Sequence, residues 1–233
     1  MSVESASDQL VTEEETRNLL RLIVERQAYR QLMVANIRGH GLKFLPGLDD
    51  KLQLSQDLSC TLSIYREIDE LYRALGGIDL PTAVRAKMER IPYPSSRLEL
   101  AVCLVFCDLA EHIAAESYLD CCVPQFAAIA RSLLDMVRAN TQQGEELFQQ
   151  FCAEPDNLPR ARQIANRWLA VAIRSLGRPE TAGDSRAVEL GLRSRTCAQS
   201  VRQFIEGATA FLERCGLPFP PAETLGVELP RSS

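Results

Sequence analysis

Three side chains that can bind a metal or carry a proton lie close together in the most apolar stretch of this chain. Asp108, Glu111 and His112 fall within residues 102–118, which are otherwise almost entirely apolar. A helix that is apolar nearly all round is typical of a buried centre, where an ionised carboxylate needs a partner charge or a metal ion. Asp108 and Glu111 share one helical face, whereas His112 points about 100° away from Glu111.

These residues allow two interpretations. One is a metal or redox site inside a bundle of helices, and the other is a set of buried carboxylates neutralised by a nearby arginine or tyrosine. Arg26, Arg138 and Tyr29 are the partners that helical spacing makes available. An arginine that points into the centre would remove the need for a metal cation, so the choice depends on where these side chains lie.

The hydrophobic pattern predicts helices throughout and no strand, which makes the fold all-α. The predicted helices cover residues 13–38, 49–75, 81–90, 96–122, 123–152, 160–176, 184–193 and 196–215, and Ser95 or Ser96 caps the central one. Four long helices with short connections predict a four-helix bundle, with additional C-terminal helices against its side. We therefore expect a flexible N-terminus (1–12), a single helical domain (13–215) and a Pro-rich extended C-terminal tail (216–233).

Composition excludes several classes of function. The net charge of the 233 residues is −5, with both signs interspersed, which argues against a nucleic-acid binder. The longest apolar run, residues 98–113, contains three acidic residues, whereas a membrane span needs about 20 apolar ones. The acidic N-terminus does not resemble a signal peptide, and the eight cysteines form no Cys-x-x-Cys pair. We expect a cytoplasmic protein with reduced, mostly buried thiols.

Several features point to a known family. They are the order and length of the helices, the Leu45-Pro46 turn after the first helix, Glu25 and Glu111 on the first and third long helices, and the run QQGEEL at 142–147. In these features residues 15–215 resemble the ferritin-like superfamily of di-iron oxygenases, particularly phenylacetyl-CoA epoxidase subunits and aldehyde-deformylating oxygenases. The resemblance implies a ferritin-like bundle with a di-iron or di-manganese centre, built from two glutamates and two Glu-x-x-His motifs.

The chain departs from that family at the ligands themselves. Its two histidines, His40 and His112, follow Ile37 and Leu109 by three residues, so no Glu-x-x-His motif exists. The resemblance would place ligands at positions that hold Thr61 and Ile64 on the second helix, and Val137 and Asn140 on the fourth. Too few ligands remain to hold two iron ions.

The remaining candidate ligands are therefore expected to be vestigial. They are Glu25, Glu111 with His112, and Glu67. We expect no catalytic residue, no cofactor and no bound metal, and an enzyme is the less favoured outcome because the ligand motif is missing.

Three functions fit these observations. The favoured one is a catalytically degenerate, metal-free ferritin-like protein, which serves as a structural or accessory subunit of a di-iron oxygenase-type system or binds an apolar ligand. Such a chain would form homo- or hetero-oligomers, for example with a catalytic ferritin-like paralogue. The first alternative is an active oxygenase with a carboxylate-rich mono- or dinuclear iron or manganese site, formed by Glu25, Glu67 and Glu111, with Asp135 as a further candidate ligand. The second is a generic helical interaction module, in which Glu25 and Glu111 lie on different faces.

Overall fold

The computed structural model describes residues 3–88, 91–137 and 141–231, and within them every regular element is a helix. The helices are α1 (Val3–Gly41), α2 (Leu48–Ala74), α3 (Leu80–Met88), α4 (Arg97–Glu116), α5 (Pro124–Val137), α6 (Thr141–Cys152), α7 (Leu158–Leu176), α8 (Ala182–Glu189), α9 (Cys197–Arg214) and α10 (Ala222–Leu225). The all-α prediction is confirmed. Across the described helices, none has the length and apolar character needed to cross a membrane.

Helix α4 lies at the centre of the molecule, as its apolar sequence predicts. It packs against α1, α5, α6, α7 and α9. Helices α1, α2, α5 and α4 also contact one another in a closed circuit, in which α1 lies against α2, α2 against α5, and α5 against α4. The core around them contains the single tryptophan, Trp168, and the buried rings of Phe106, Phe126 and Phe204. The charged residues of α4 therefore lie where several helices meet.

The beginning of α4 is fixed by a serine cap. The Ser96 hydroxyl accepts a hydrogen bond from the backbone N–H of Glu99 at 3.1 Å, which satisfies one of the free donors of the first helical turn. The Glu99 carboxylate is itself buried and accepts hydrogen bonds from Ser95 and, at 2.9 Å, from Arg167 of α7. The prediction that a serine here caps the central helix is confirmed.

Other helix boundaries differ from those predicted. Helix α4 ends at Glu116 rather than at residue 122, and the hydroxyl of Ser117 donates to the Ala114 carbonyl at 2.7 Å, which competes with further helical hydrogen bonding. Of the predicted helix 123–152, the structure describes α5 and α6, and residues 138–140 between them lie outside the described part. Helix α1 begins at Val3, inside the segment expected to be flexible, where no glycine or proline interrupts the helix.

The C-terminal segment is docked against α7 rather than extended. Leu217 and Leu225 are buried, and α10 packs on α7. Arg174 donates to the carbonyl oxygens of Leu225 and Gly226, at 3.4 and 3.1 Å, at the end of α10. Gly226 ends this helix in the left-handed conformation, with φ of 58°, which glycine adopts without strain. The apolar side chains of this segment therefore bury themselves on the same chain.

A buried charge cluster as the candidate functional site

The carboxylate of Glu111 is held by three side chains of α1. Its Oε1 atom accepts a hydrogen bond from Gln27 at 2.7 Å, and its Oε2 atom accepts one from Gln31 at 2.9 Å. The Nε atom of Arg30 lies 3.3 Å from the same Oε2 atom. All four side chains are almost completely buried. The charge of Glu111 is therefore balanced inside the protein by a guanidinium group and two amide donors.

Arg30 is the cation of this group, and it also reaches a third helix. It donates to the side-chain oxygen of Gln27 and, at 3.1 Å, to the backbone carbonyl of Ser175 in α7. Burial alone would lower the pKa of Arg30, but the charge of Glu111 and the neighbouring Tyr118 together more than offset this, so the pKa lies above its usual value. Arg30 therefore stays charged and links α1, α4 and α7.

A second ion pair lies two helical turns further along α1. Arg38 and Asp108 are 3.3 Å apart and both are buried. Arg38 also donates to the hydroxyl of Thr61 in α2, and that hydroxyl donates to the Asp57 carbonyl at 2.7 Å. Burial raises the pKa of Asp108 to about 6, against the opposing effect of Arg38, and the charges of Glu111 and Asp57 raise it further. Asp108 is therefore ionised at neutral pH and takes up a proton in mild acid.

The sequence of α1 explains why these side chains point inward. Six buried residues recur at alternating intervals of four and three, the spacing of a helix seam that faces a partner helix: Leu20, Val24, Gln27, Gln31, Val34 and Arg38. Three of the six are polar, and they meet the acidic residues of α4. The apolar pattern of α4 indicated the acids Asp108 and Glu111, but nothing in the predicted pattern pointed to their partners Gln27, Arg30, Gln31 and Arg38. Polar residues at the seam positions of α1 were the signal that could have revealed most of them.

One expected partner of the carboxylates, Arg26, lies elsewhere. Arg26 donates to the sulfur of Cys197 at 3.1 Å instead of entering the centre, and Arg138 lies outside the described residues. The idea that an arginine neutralises the central acids therefore holds, and among the described residues the arginines that do so are Arg30 and Arg38.

Glu25 and Glu111 share no partner. Glu25 is half-buried and accepts a hydrogen bond from the Tyr72 hydroxyl of α2 at 3.0 Å. It precedes Gln27, which binds Glu111, by two residues, so the two side chains leave α1 about 200° apart. The two glutamates, which a carboxylate-rich oxygenase would bring to one metal site, are thus bound to different neighbours, as expected for a generic helical interaction module.

The other candidates are also dispersed. Glu67 is exposed on α2, while Thr61 and Ile64 of the same helix are buried. His112 is about one-third exposed, and its Nε2 atom lies 3.1 Å from Glu116, which also binds Arg195 at 3.1 Å. Of the two positions on the fourth predicted helix, Val137 ends α5 with a side chain outside the described set, and Asn140 lies outside the described residues.

No protein-family model matches the chain, and no curated protein is a significant match. The resemblance to the ferritin-like superfamily therefore rests on the residues quoted above and stays a prediction. Whether the central cluster can bind a metal ion therefore has to be judged from its own geometry.

The donor set of the cluster does not fit a dinuclear metal centre. Among the described residues, no group of three or more His, Cys, Asp or Glu side chains is arranged to hold a metal ion. The carboxylates of Glu111 and Asp108 are each already paired with a guanidinium group, which supplies the positive charge that a metal ion would otherwise supply. The sulfur atoms of Cys103 and Cys107 are 3.9 Å apart, and burial raises the pKa of Cys103 well above its usual value, which keeps that thiol protonated.

Proposed function

We propose that this chain is a metal-independent, non-enzymatic helical protein with a structural or accessory role, and that buried ion pairs hold its centre together. The observation that carries the proposal is the guanidinium of Arg30, 3.3 Å from Glu111 in the buried centre. A cation at this place repels a metal ion and already supplies the charge that Glu111 needs. The ion pairs connect α1 to α4, so their role is to fix the arrangement of the helices.

The resemblance narrows this proposal to an accessory chain of an oxygenase-type system, in which a catalytic ferritin-like partner would supply the metal centre. Two features of α2 support it. Thr61 and Ile64, at positions where the resemblance would place metal ligands, are buried, and Thr61 binds Arg38. The carboxylate-rich oxygenase finds no comparable support, because Glu25, Glu67 and Glu111 face different surroundings.

A specific cavity favours a second function, the binding of an apolar ligand. It has a volume of about 340 Å³ and lies between α2, α4 and α6. Leu54, Leu100 and Leu104 form part of its wall. Asp49, Asp50, Asp57 and Arg97 are also part of its lining, so acidic side chains outnumber basic ones. The volume falls within the range of small-molecule sites, which combine apolar surface with a few polar groups. A ligand with an apolar body and a positively charged end would match this lining.

The proposal is tested by elemental analysis of the protein after production with added iron and manganese and removal of free ions on a desalting column. We expect far less than one metal ion per chain, both in the wild type and in a Glu111→Gln variant. Stoichiometric iron or manganese that is lost in the Glu111→Gln variant would contradict the proposal and favour a carboxylate-rich oxygenase. Because Glu111→Gln keeps the shape of the side chain, a loss of metal would report on coordination itself.

A further inference from the structure

A second cavity has four positively charged side chains in its lining. It has a volume of about 580 Å³ and is bounded by α1, α3, α7, residues 91–92 and residues 177–178. Arg26, Lys87, Arg174 and Arg178 line it, and no carboxylate does so among the described residues. A wall with four cations and no anion raises the local concentration of negatively charged molecules.

Three of these four cations have no carboxylate partner in the described part of the chain. Arg178 is the exception, because Glu228 accepts two hydrogen bonds from it, both at 3.0 Å. Arg26 donates to the Cys197 sulfur, and Arg174 donates only to backbone carbonyl oxygens. Lys87 is exposed, and among the described residues it has no partner. The cavity thus keeps a formal positive charge that the described residues do not neutralise.

The rest of the wall is apolar and offers one phenol. Ile91, Pro92 and Val171 contribute apolar surface, and Tyr29 contributes its ring. Burial raises the pKa of Tyr29, with Arg174 and Arg30 opposing that effect, so the phenol keeps its proton at neutral pH and can donate a hydrogen bond. The lining therefore offers cations and a hydrogen-bond donor to an anion, and apolar surface to an apolar group.

We propose that this cavity binds a small phosphate monoester with an apolar substituent. A phosphate monoester carries close to two negative charges at neutral pH, which matches three cations better than a single carboxylate does. Arginine also pairs with phosphate oxygens through parallel hydrogen bonds, and a cavity of 580 Å³ is large enough for a ligand of this size. The inference does not depend on the proposed function, because none of its cations belongs to the central ion pairs.

The test is isothermal titration calorimetry of the full chain with hexyl phosphate, with hexanol and inorganic phosphate as comparison ligands, at low ionic strength. We expect hexyl phosphate to bind more tightly than either comparison ligand. Lys87→Gln and Arg174→Gln should each weaken its binding about tenfold, which is the usual size of one charge-assisted hydrogen bond. The matched control is Arg85→Gln, because Arg85 is an exposed cation of the same α3 helix that does not line the cavity.

Three results would overturn the proposal: no binding of hexyl phosphate, equal binding of hexanol, or an unchanged affinity in Lys87→Gln. Equal affinities for inorganic phosphate and hexyl phosphate would contradict a role for the apolar substituent and would assign the cavity to free phosphate. The Lys87 variant is decisive, because Arg174 also holds α10 and its replacement could loosen that contact. Lys87 makes no such contact, so its variant changes the charge of the wall without disturbing the fold.

Discussion

Two regions of α1 use arginine in opposite ways. In the centre, Arg30 and Arg38 are buried and each lies 3.3 Å from a carboxylate of α4. One turn before Arg30, Arg26 lines a cavity in which the described residues contribute cations but no carboxylate. A buried charge must be paired because it has lost its water, whereas a charge within reach of solvent can remain unpaired. The position of an arginine on the helix therefore decides whether it holds the fold together or is available to a ligand.

The strongest test of this difference applies the same substitution in both regions. Arg30→Met should lower the free energy of unfolding by about 3–5 kcal/mol, because it leaves the buried charge of Glu111 without its cation. Arg26→Met should cost about 1 kcal/mol or less, because only a hydrogen bond to the Cys197 sulfur is lost. Urea unfolding followed by far-ultraviolet circular dichroism measures both values.

A double variant separates the charge from the packing. Replacing both partners, as in Arg30→Met with Glu111→Leu, should recover much of the stability lost in Arg30→Met, since no unpaired charge remains. Equal costs for Arg30→Met and Arg26→Met would show that the two regions do not differ in the way described here.

The sequence was sufficient to predict the elements but only part of the central cluster. Apolar periodicity predicted an all-α chain, a buried α4 and a serine cap, because these depend on short-range pattern. It also identified Asp108 and Glu111 as buried acids in need of a partner. Which arginine reaches them depends on how α1 is rotated against α4, and that is a property of the packed structure. Arg26 was the natural choice from nearness to Glu25, yet it points away.

The basic cavity was beyond sequence reasoning for a similar reason. Its four cations come from α1, α3, α7 and the residue that follows Gly177, and up to 152 positions separate them along the chain. No local motif connects them, since each is an ordinary arginine or lysine of an amphipathic helix or turn. Only the packing of three helices brings them to one wall.

A second prediction concerns the pH dependence of the centre. Burial raises the pKa of Asp108 from 3.8 to about 6, so the folded protein binds a proton between these values that the unfolded chain has released. The contribution of Asp108 to stability therefore falls as the pH rises from about 4 to about 6 and is constant above. In Asp108→Asn, stability relative to the wild type should rise by about 2–3 kcal/mol from pH 4 to pH 7. Chemical unfolding of both proteins across this range measures the difference.

The control for this prediction comes from the other region. Lys87→Gln removes a charge from the basic cavity, and no described carboxylate lines that cavity. The free energy of unfolding of Lys87→Gln should therefore differ from that of the wild type by a constant amount across this pH range. A stability difference between Asp108→Asn and the wild type that does not change with pH would show that Asp108 is not perturbed by burial.

The smallest expected effect tests whether Glu25 belongs to the buried charge network around Glu111. Glu25→Ala should cost about 1 kcal/mol, because a half-buried carboxylate loses one hydrogen bond from Tyr72 and no buried cation is left unpaired. Glu67→Ala is the matched control on an exposed helical face and should stay within about 0.5 kcal/mol of the wild type. If Glu25→Ala instead cost as much as Arg30→Met, Glu25 would belong to the same network as Glu111. The boundary between the paired interior and the solvated surface of α1 would then lie beyond Glu25, because only a residue coupled to the buried charges can produce so large a loss.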